Sequence, residues 1–283
     1  SYSARLIKRL AMARYLIKIC YDGTGYCGWQ KQKNGLAIQE VMEKTLEIFA
    51  GKKTSLIAAG RTDAGVHSLG QYAHFDYSGS MGEKQLLLAF NRYLPDSIKV
   101  LEIIKVSPCL NARYQAYERS YRYRLAKEKT PFNRNYSGFL PHLHLNLEKM
   151  QSAVQYLLGK HDFSTFGKSN PEVPNRICEL KHISISETER YFIFDFTADR
   201  FLHNMVRRIV GTLANISHLH LPPETILEIL ENRCPRQNLV ITAPASGLYL
   251  MDVKYPAKFL DESYNPNFEE NGMVNNPLLH SIK

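Results

Sequence analysis

Tyr15-Leu16-Ile17-Lys18-Ile19-Cys20-Tyr21 is the stretch from which the fold is read. Its β-branched and aromatic residues suit a pleated, half-buried surface, so it is predicted to be a strand. Downstream, between Leu36 and Ala50, inward positions fall at Ile38, Val41, Met42, Thr45, Leu46 and Phe49. Steps of three and four place them on one helical face. Strand-like segments follow at 54–59 and 71–76, then a helix over 83–93 stopped by Pro95, then a strand at 98–106. The order β-α-β-β-α-β is that of a ferredoxin-like split unit.

The second half repeats the theme. A strand near 119–126 precedes a helix at 147–158, for which Asn146 is a suitable N-cap. Strands are expected at 178–186 and 190–198, the latter alternating Phe192, Phe194 and Phe196 against Ile193, Asp195 and Thr197. A helix from Phe201 to His218, a shorter one behind Pro222-Pro223 and a last strand at 247–253 complete it. The fold class is therefore α+β: two ferredoxin-like halves with mixed, mainly antiparallel sheets flanking a central cleft. The expected divisions are a basic extension at 1–13, an N-terminal domain at 14–112, a C-terminal domain at 113–260 and a polar tail at 261–283.

With 283 residues, 44% hydrophobic and 22% charged, the chain has the composition of a soluble globular protein. No apolar run approaches the roughly 18 residues of a membrane span. Lys and Arg number 36 against 27 Asp and Glu, a net charge of +9. Such an excess suits a polyanionic partner, nucleic acid being the commonest. Cys20, Cys27, Cys109, Cys178 and Cys234 form no C-x-x-C pair, which argues against a disulfide framework or a structural zinc site and fits reduced cytosolic thiols.

Gly23-Thr24-Gly25-Tyr26-Cys27-Gly28 follows a strand and matches G-x-G-x-x-G. A dinucleotide site needs a helix opening at the third glycine. Here that glycine leads into the polar run Trp29-Gln30-Lys31-Gln32-Lys33-Asn34-Gly35, which is predicted to be a mobile basic loop carrying the single tryptophan. A nicotinamide or flavin site is set aside. P-loop, H-E-x-x-H and G-x-S-x-G patterns are missing from the sequence.

Three segments carry candidate chemistry. Gly60-Arg61-Thr62-Asp63-Ala64-Gly65-Val66-His67 sets an arginine two residues before an aspartate between glycines that allow close approach to a ligand. Asp63 reads as a nucleophile or general base, with a surface turn holding a local ion pair as the alternative. In 119–134, Arg119, Arg122, Arg124, Lys127, Lys129 and Arg134 interleave with Tyr121, Tyr123 and Phe132. That mixture suits phosphates and unpaired bases, or equally a half-buried strand with solvated arginines. On the helix from Phe201, an apolar face is formed by Leu202, Met205, Val206, Ile209, Leu213 and Ile216. Arg208 falls opposite it and Arg207 at its edge, placed either to reach a carboxylate or phosphate or simply to snorkel.

Six motifs occur in series: Tyr21-Asp22-Gly23-Thr24 with Gly28-Trp29-Gln30, the octapeptide at 60–67, Arg119-Ser120-Tyr121-Arg122-Tyr123, Gly159-Lys160-His161-Asp162-Phe163, Phe201-Leu202-His203-Asn204-Met205-Val206-Arg207, and Ala243-Pro244-Ala245-Ser246-Gly247-Leu248. In this order they resemble the tRNA pseudouridine synthase A family, from about Arg14 to Tyr255. The resemblance implies a cytoplasmic, homodimeric isomerase that converts uridine to pseudouridine at positions 38, 39 and 40 of the tRNA anticodon stem-loop, without metal or cofactor. It implies Asp63 as the catalytic aspartate, Arg61 facing the RNA near the target, Tyr121 stacking on the uracil, Arg207 pairing with Asp63, and Leu248 lining the pocket. Ser120 stands where Thr or a basic group is expected, which leaves a local phosphate contact open. The competing reading is a non-catalytic RNA-binding module on the same fold.

Overall fold

The strand predicted at 15–21 is Ala13–Tyr21 (β1), the second strand of the sheet's first half. The computed structural model describes residues 12–168 and 175–266. The expected extension at 1–13, apart from its last two residues, and the tail beyond residue 266 lie outside the described residues. After β1 come α1 (Ile38–Ala50), β2 (Ile57–Ala58), β3 (His67–Tyr77), α2 (Glu83–Tyr93) and β4 (Ile98–Val106). The second half runs β5 (Glu118–Ala126), α3 (Leu147–Val154), β6 (Gly159–Asp162), β7 (Ile177–Glu187), β8 (Tyr191–Ala198), α4 (Met205–His218), α5 (Thr225–Glu231), β9 (Leu248–Lys254) and α6 (Ala257–Leu260). The fold is α+β.

The strand order is β4-β1-β3-β9-β5-β8-β7-β6, with β2 paired to β3 off that path. Reading each half separately gives β4-β1-β3-β2 and β9-β5-β8-β7, the same ferredoxin-like order twice, with β6 added at the far edge. The halves do not carry separate sheets. Near its start β3 pairs in parallel with β9 through His67↔Tyr249 and Ser68↔Leu250, while further along it pairs with β2 through Ala73↔Ala58 and His74↔Ile57. One edge of β3 thus serves two neighbours, which diverge from it. The loop 59–66, which joins β2 to β3, lies at that fork.

Alternation explains the two main cores. Tyr15, Ile17 and Ile19 of β1 face Ile38, Met42 and Leu46 of α1 and Leu86 and Phe90 of α2. In the other half Phe192, Phe194 and Phe196 of β8 bury against Met205, Ile209 and Leu213 of α4, as their spacing predicts. A third cluster containing Leu16, Leu110, Leu250 and Val253 spans the junction between the halves.

Several local expectations change. Asn146 does cap α3, accepting the Lys149 N–H at 2.9 Å. Segment 54–59 contributes only the two residues of β2, and β6 was not foreseen. Helix α4 begins at Met205 instead of Phe201, because Asn204 takes a left-handed conformation (φ 67°) that breaks helical continuity. Arg208 is not on an open face. Its guanidinium donates to the carbonyls of Gly167 and Pro235, so chain segments cover that side of the helix.

Candidate active site

The loop carrying Asp63 is fixed from below by the first strand and the glycine segment that follows it. The Tyr21 hydroxyl meets Thr62 Oγ1 at 2.7 Å in a buried pair, and the Trp29 N–H donates to the Thr62 carbonyl at 3.0 Å. Two glycines of the false dinucleotide motif allow this contact. A Cβ on Gly23 would sit 2.1 Å from the Val66 carbonyl oxygen, and one on Gly28 2.4 Å from that of Thr62. They bring backbone against backbone, not backbone against pyrophosphate. Trp29 is only 1% exposed and packs by Tyr21, so the expected mobile loop is anchored at this end; only residues 30–36 remain exposed. Beyond the aspartate, Val66 enters the core of the second half.

The second half supplies what faces Asp63. His203 Nε2 lies 2.6 Å from Oδ1 and Arg207 Nη1 donates to Oδ2 at 3.2 Å. Arg207 is held by two further acceptors, the Ala243 carbonyl at 2.8 Å and Asn204 Oδ1 at 3.0 Å. Burial alone would raise the Asp63 carboxyl. The hydrogen bond and charge of His203, followed by those of Arg207, outweigh it and hold the group below the usual carboxylate range. The left-handed turn at Asn204 sets His203 just outside the helix and Arg207 in its first turn, and both reach one carboxylate.

Arg61 makes no ion pair with Asp63. It is exposed on the wall of a cleft of 1610 Å³ that Asp63, Tyr121, Arg207 and Leu248 also line. All five residues predicted for the site therefore share one cavity. Tyr121 packs edge-on against Phe201, with centroids 5.0 Å apart. Burial pushes its phenol up to about 12, so the hydroxyl stays neutral. Leu248 is 7% exposed, a wall residue. Arg119 closes one end, donating to the carbonyls of Ala59, Arg113, Ala116 and Asp199 and so tying the two halves together.

The basic and aromatic residues of 119–134 do not form one surface. Alternation in β5 separates them, with Tyr123 fully buried and its hydroxyl donating to the Pro244 carbonyl. Arg122 pairs with Asp195 and Lys127 with Glu187, while Arg124 lies over Tyr191. Only Arg119 and Tyr121 of that strand line the cleft. Its other cations come from Arg61, Arg113, Lys168, Arg176, Arg200 and Arg207, against Asp63 and Asp199.

His203 and Asn204 were not assigned by sequence reasoning. Their signal was present: both lie within four residues of Arg207, in a motif already singled out. Among the described residues no group of three or more His, Cys, Asp and Glu is arranged to hold a metal.

A carboxylate kept ionised in a largely cationic cleft, larger than the roughly 300–1,000 Å³ of small-molecule pockets, suits a site for a large polyanionic ligand. Comparison with known proteins narrows this. The profile of the family described as tRNA pseudouridine synthase matches residues 18–115 and 153–256. A tRNA pseudouridine synthase A of Bacteroides fragilis is 40% identical over 256 residues, covering 89% of this chain and 100% of the relative. Those of Nitrosomonas eutropha and Thermoanaerobacter pseudethanolicus are 39% and 37% identical, covering 89% and 86% of this chain and 91% and 100% of theirs. The chain belongs to the tRNA pseudouridine synthase family, enzymes of the isomerase class.

Proposed function

We propose that this protein isomerises uridine to pseudouridine in the anticodon stem-loop of tRNA, at positions 38, 39 and 40, and that Asp63 is its catalytic residue. The observation carrying this reading is the Asp63 carboxylate, held between His203 and Arg207 at 2.6 and 3.2 Å in a cleft shared with Tyr121. The target uridine leaves the stack, at on the order of a few kcal/mol, so that its C1′–N1 bond is accessible. Tyr121 recovers part of this by stacking on the uracil, Arg61 faces the RNA, and Leu248 helps confine the detached base while it rotates. Asp63, as nucleophile or base, begins the cleavage, and Arg207 keeps it ionised. The isomerisation involves no net redox change, so the reaction calls for no redox cofactor.

On this reading residues 14–112 carry the carboxylate and 113–260 its counter-charges. The enzyme works in the cytoplasm as a homodimer in which one tRNA touches both subunits. A non-catalytic RNA-binding module would use the same basic cleft, but it gives no reason for an ionised carboxylate facing a polyanion.

The test is tritium release from C5 of uracil in folded tRNA. Wild type should release it and Asp63→Ala should not. Equal release from both, or none from wild type, would remove the catalytic assignment. Binding should weaken steeply with salt, since phosphate contacts release counterions. Sedimentation with and without tRNA tests the dimer.

A further inference from the structure

Building on the uridine-isomerising reading, we infer that His203 is a second catalytic residue: the base that removes the C5 proton in the last step of the reaction. His203 Nε2 contacts Asp63 Oδ1 at 2.6 Å, while Arg207 occupies Oδ2. The two partners of Asp63 differ in exposure. The Arg207 side chain is 17% exposed and is held by three acceptors, whereas that of His203 is 49% exposed and its ring has no other hydrogen bond among the described residues. A base rotating in the cleft therefore meets the imidazole before the guanidinium. The backbone fixes this placement, since the His203 carbonyl accepts the Lys168 N–H at 2.9 Å and Asn204 is locked left-handed.

The chemistry asks for such a group. When C5 has bonded to C1′, that carbon still carries its hydrogen and the ring holds an N1=C6 double bond. To finish, the C5–H bond breaks, its electron pair re-forms C5=C6, the N1=C6 pair moves onto N1, and N1 takes up a proton. The number of protons is unchanged: one leaves carbon and one arrives on nitrogen. A carboxylate held below its usual range is a poor acceptor for a carbon-bound proton, and Arg207 accepts none. With Nε2–H donated to Asp63, the imidazole keeps Nδ1 as an acceptor, the arrangement by which a carboxylate orients a histidine base. His203 can then return the proton to N1.

The experiment is single-turnover pseudouridine formation on tRNA carrying protium or deuterium at uracil C5, using wild type, His203→Gln and His203→Asn. Both amides retain a donor toward Asp63 and lose the basic nitrogen. The expected result is unchanged tRNA affinity, turnover slowed on the order of 10²-fold or more, and a C5 isotope effect larger than that of wild type. Turnover at the wild-type rate would overturn the inference, and so would slowing without an increased isotope effect, which is the behaviour of a residue that only positions Asp63. An active wild type with either outcome sinks His203 alone. A wild type that forms no pseudouridine sinks the uridine reading and His203 with it.

Discussion

Gly28 and Thr62 meet main chain to main chain. A Cβ built on Gly28 would lie 2.4 Å from the Thr62 carbonyl oxygen, and Gly28 itself has φ +96°. The strand-end segment thereby braces the residue preceding Asp63, and the Trp29 N–H seals the contact.

Gly28→Ala should therefore lower stability by on the order of 2 kcal/mol or more, through a main-chain collision added to an unfavourable φ. Gly25→Ala is the control: it has φ +81° with nothing within 4 Å, so only the conformational term acts, about 1 kcal/mol. Thermal unfolding of the two variants, measured side by side, checks this. Equal losses would show that the apposition to Thr62 is unimportant.

Arg207→Lys should not behave as a conservative change. The guanidinium serves Asp63, Asn204 and Ala243 together, and an ammonium cannot hold all three in that geometry. Turnover should fall by at least tenfold with little change in tRNA affinity. The acid limb should also move. Asp63 is depressed in the folded enzyme, so the ionised form is present above that folded value and lost as pH falls through it. Weakening Arg207 raises the value, and the limb should shift to higher pH in a kcat/KM profile.

Tyr121 offers a cleaner separation of stacking from hydroxyl chemistry. Tyr121→Phe retains the ring against Phe201 and should preserve binding of the extruded base, whereas Tyr121→Ala should lose about 1–3 kcal/mol of it. Fluorescence of a base analogue at the target position reports the extruded state. Equal defects in both variants would point away from stacking.

Stability should depend on a histidine that does not line the cleft. His74 is buried, and burial followed by the charge of Arg14 lowers it to about 4. Its Nδ1 accepts the Ala112 N–H at 3.0 Å, a bond that exists only in the neutral ring. The unfolded chain takes up this proton near pH 6.5 and the folded one only near 4. Stability should thus be at full value above about pH 6.5 and decline toward pH 4, by on the order of 2 kcal/mol after allowing for solvent screening. Urea titrations at pH 7 and 4.5 should show a smaller difference in His74→Gln than in wild type.

The legible parts of the molecule were those decided by local periodicity. Ile38, Met42 and Leu46 had to face inward if they formed a helix, and Phe192, Phe194 and Phe196 if they formed a strand; both sets are buried. Asp63, Tyr121 and Arg207 were found together because their motifs fall in a known order. What escaped is non-local. The parallel pairing of His67 with Tyr249 joins residues 182 apart through two ladder positions, and no pattern in either segment announces it. Trp29 was placed in a mobile loop because its neighbours are polar, yet its own ring fills the space beside Tyr21. His203 was overlooked because a helix was extended back through it; the left-handed Asn204 turns it toward the carboxylate instead.

The fork in β3 has one more consequence. The aspartate belongs to the connection between β2 and β3, and the groups that hold it charged come from the turn and first coil of α4 on the far side of the junction. A chain whose halves have folded but docked wrongly carries the acid without the His203 and Arg207 that face it. On the proposed role of Asp63, assembly and competence are the same event, so newly made copies would acquire the power to alter a transcript only once their architecture is correct.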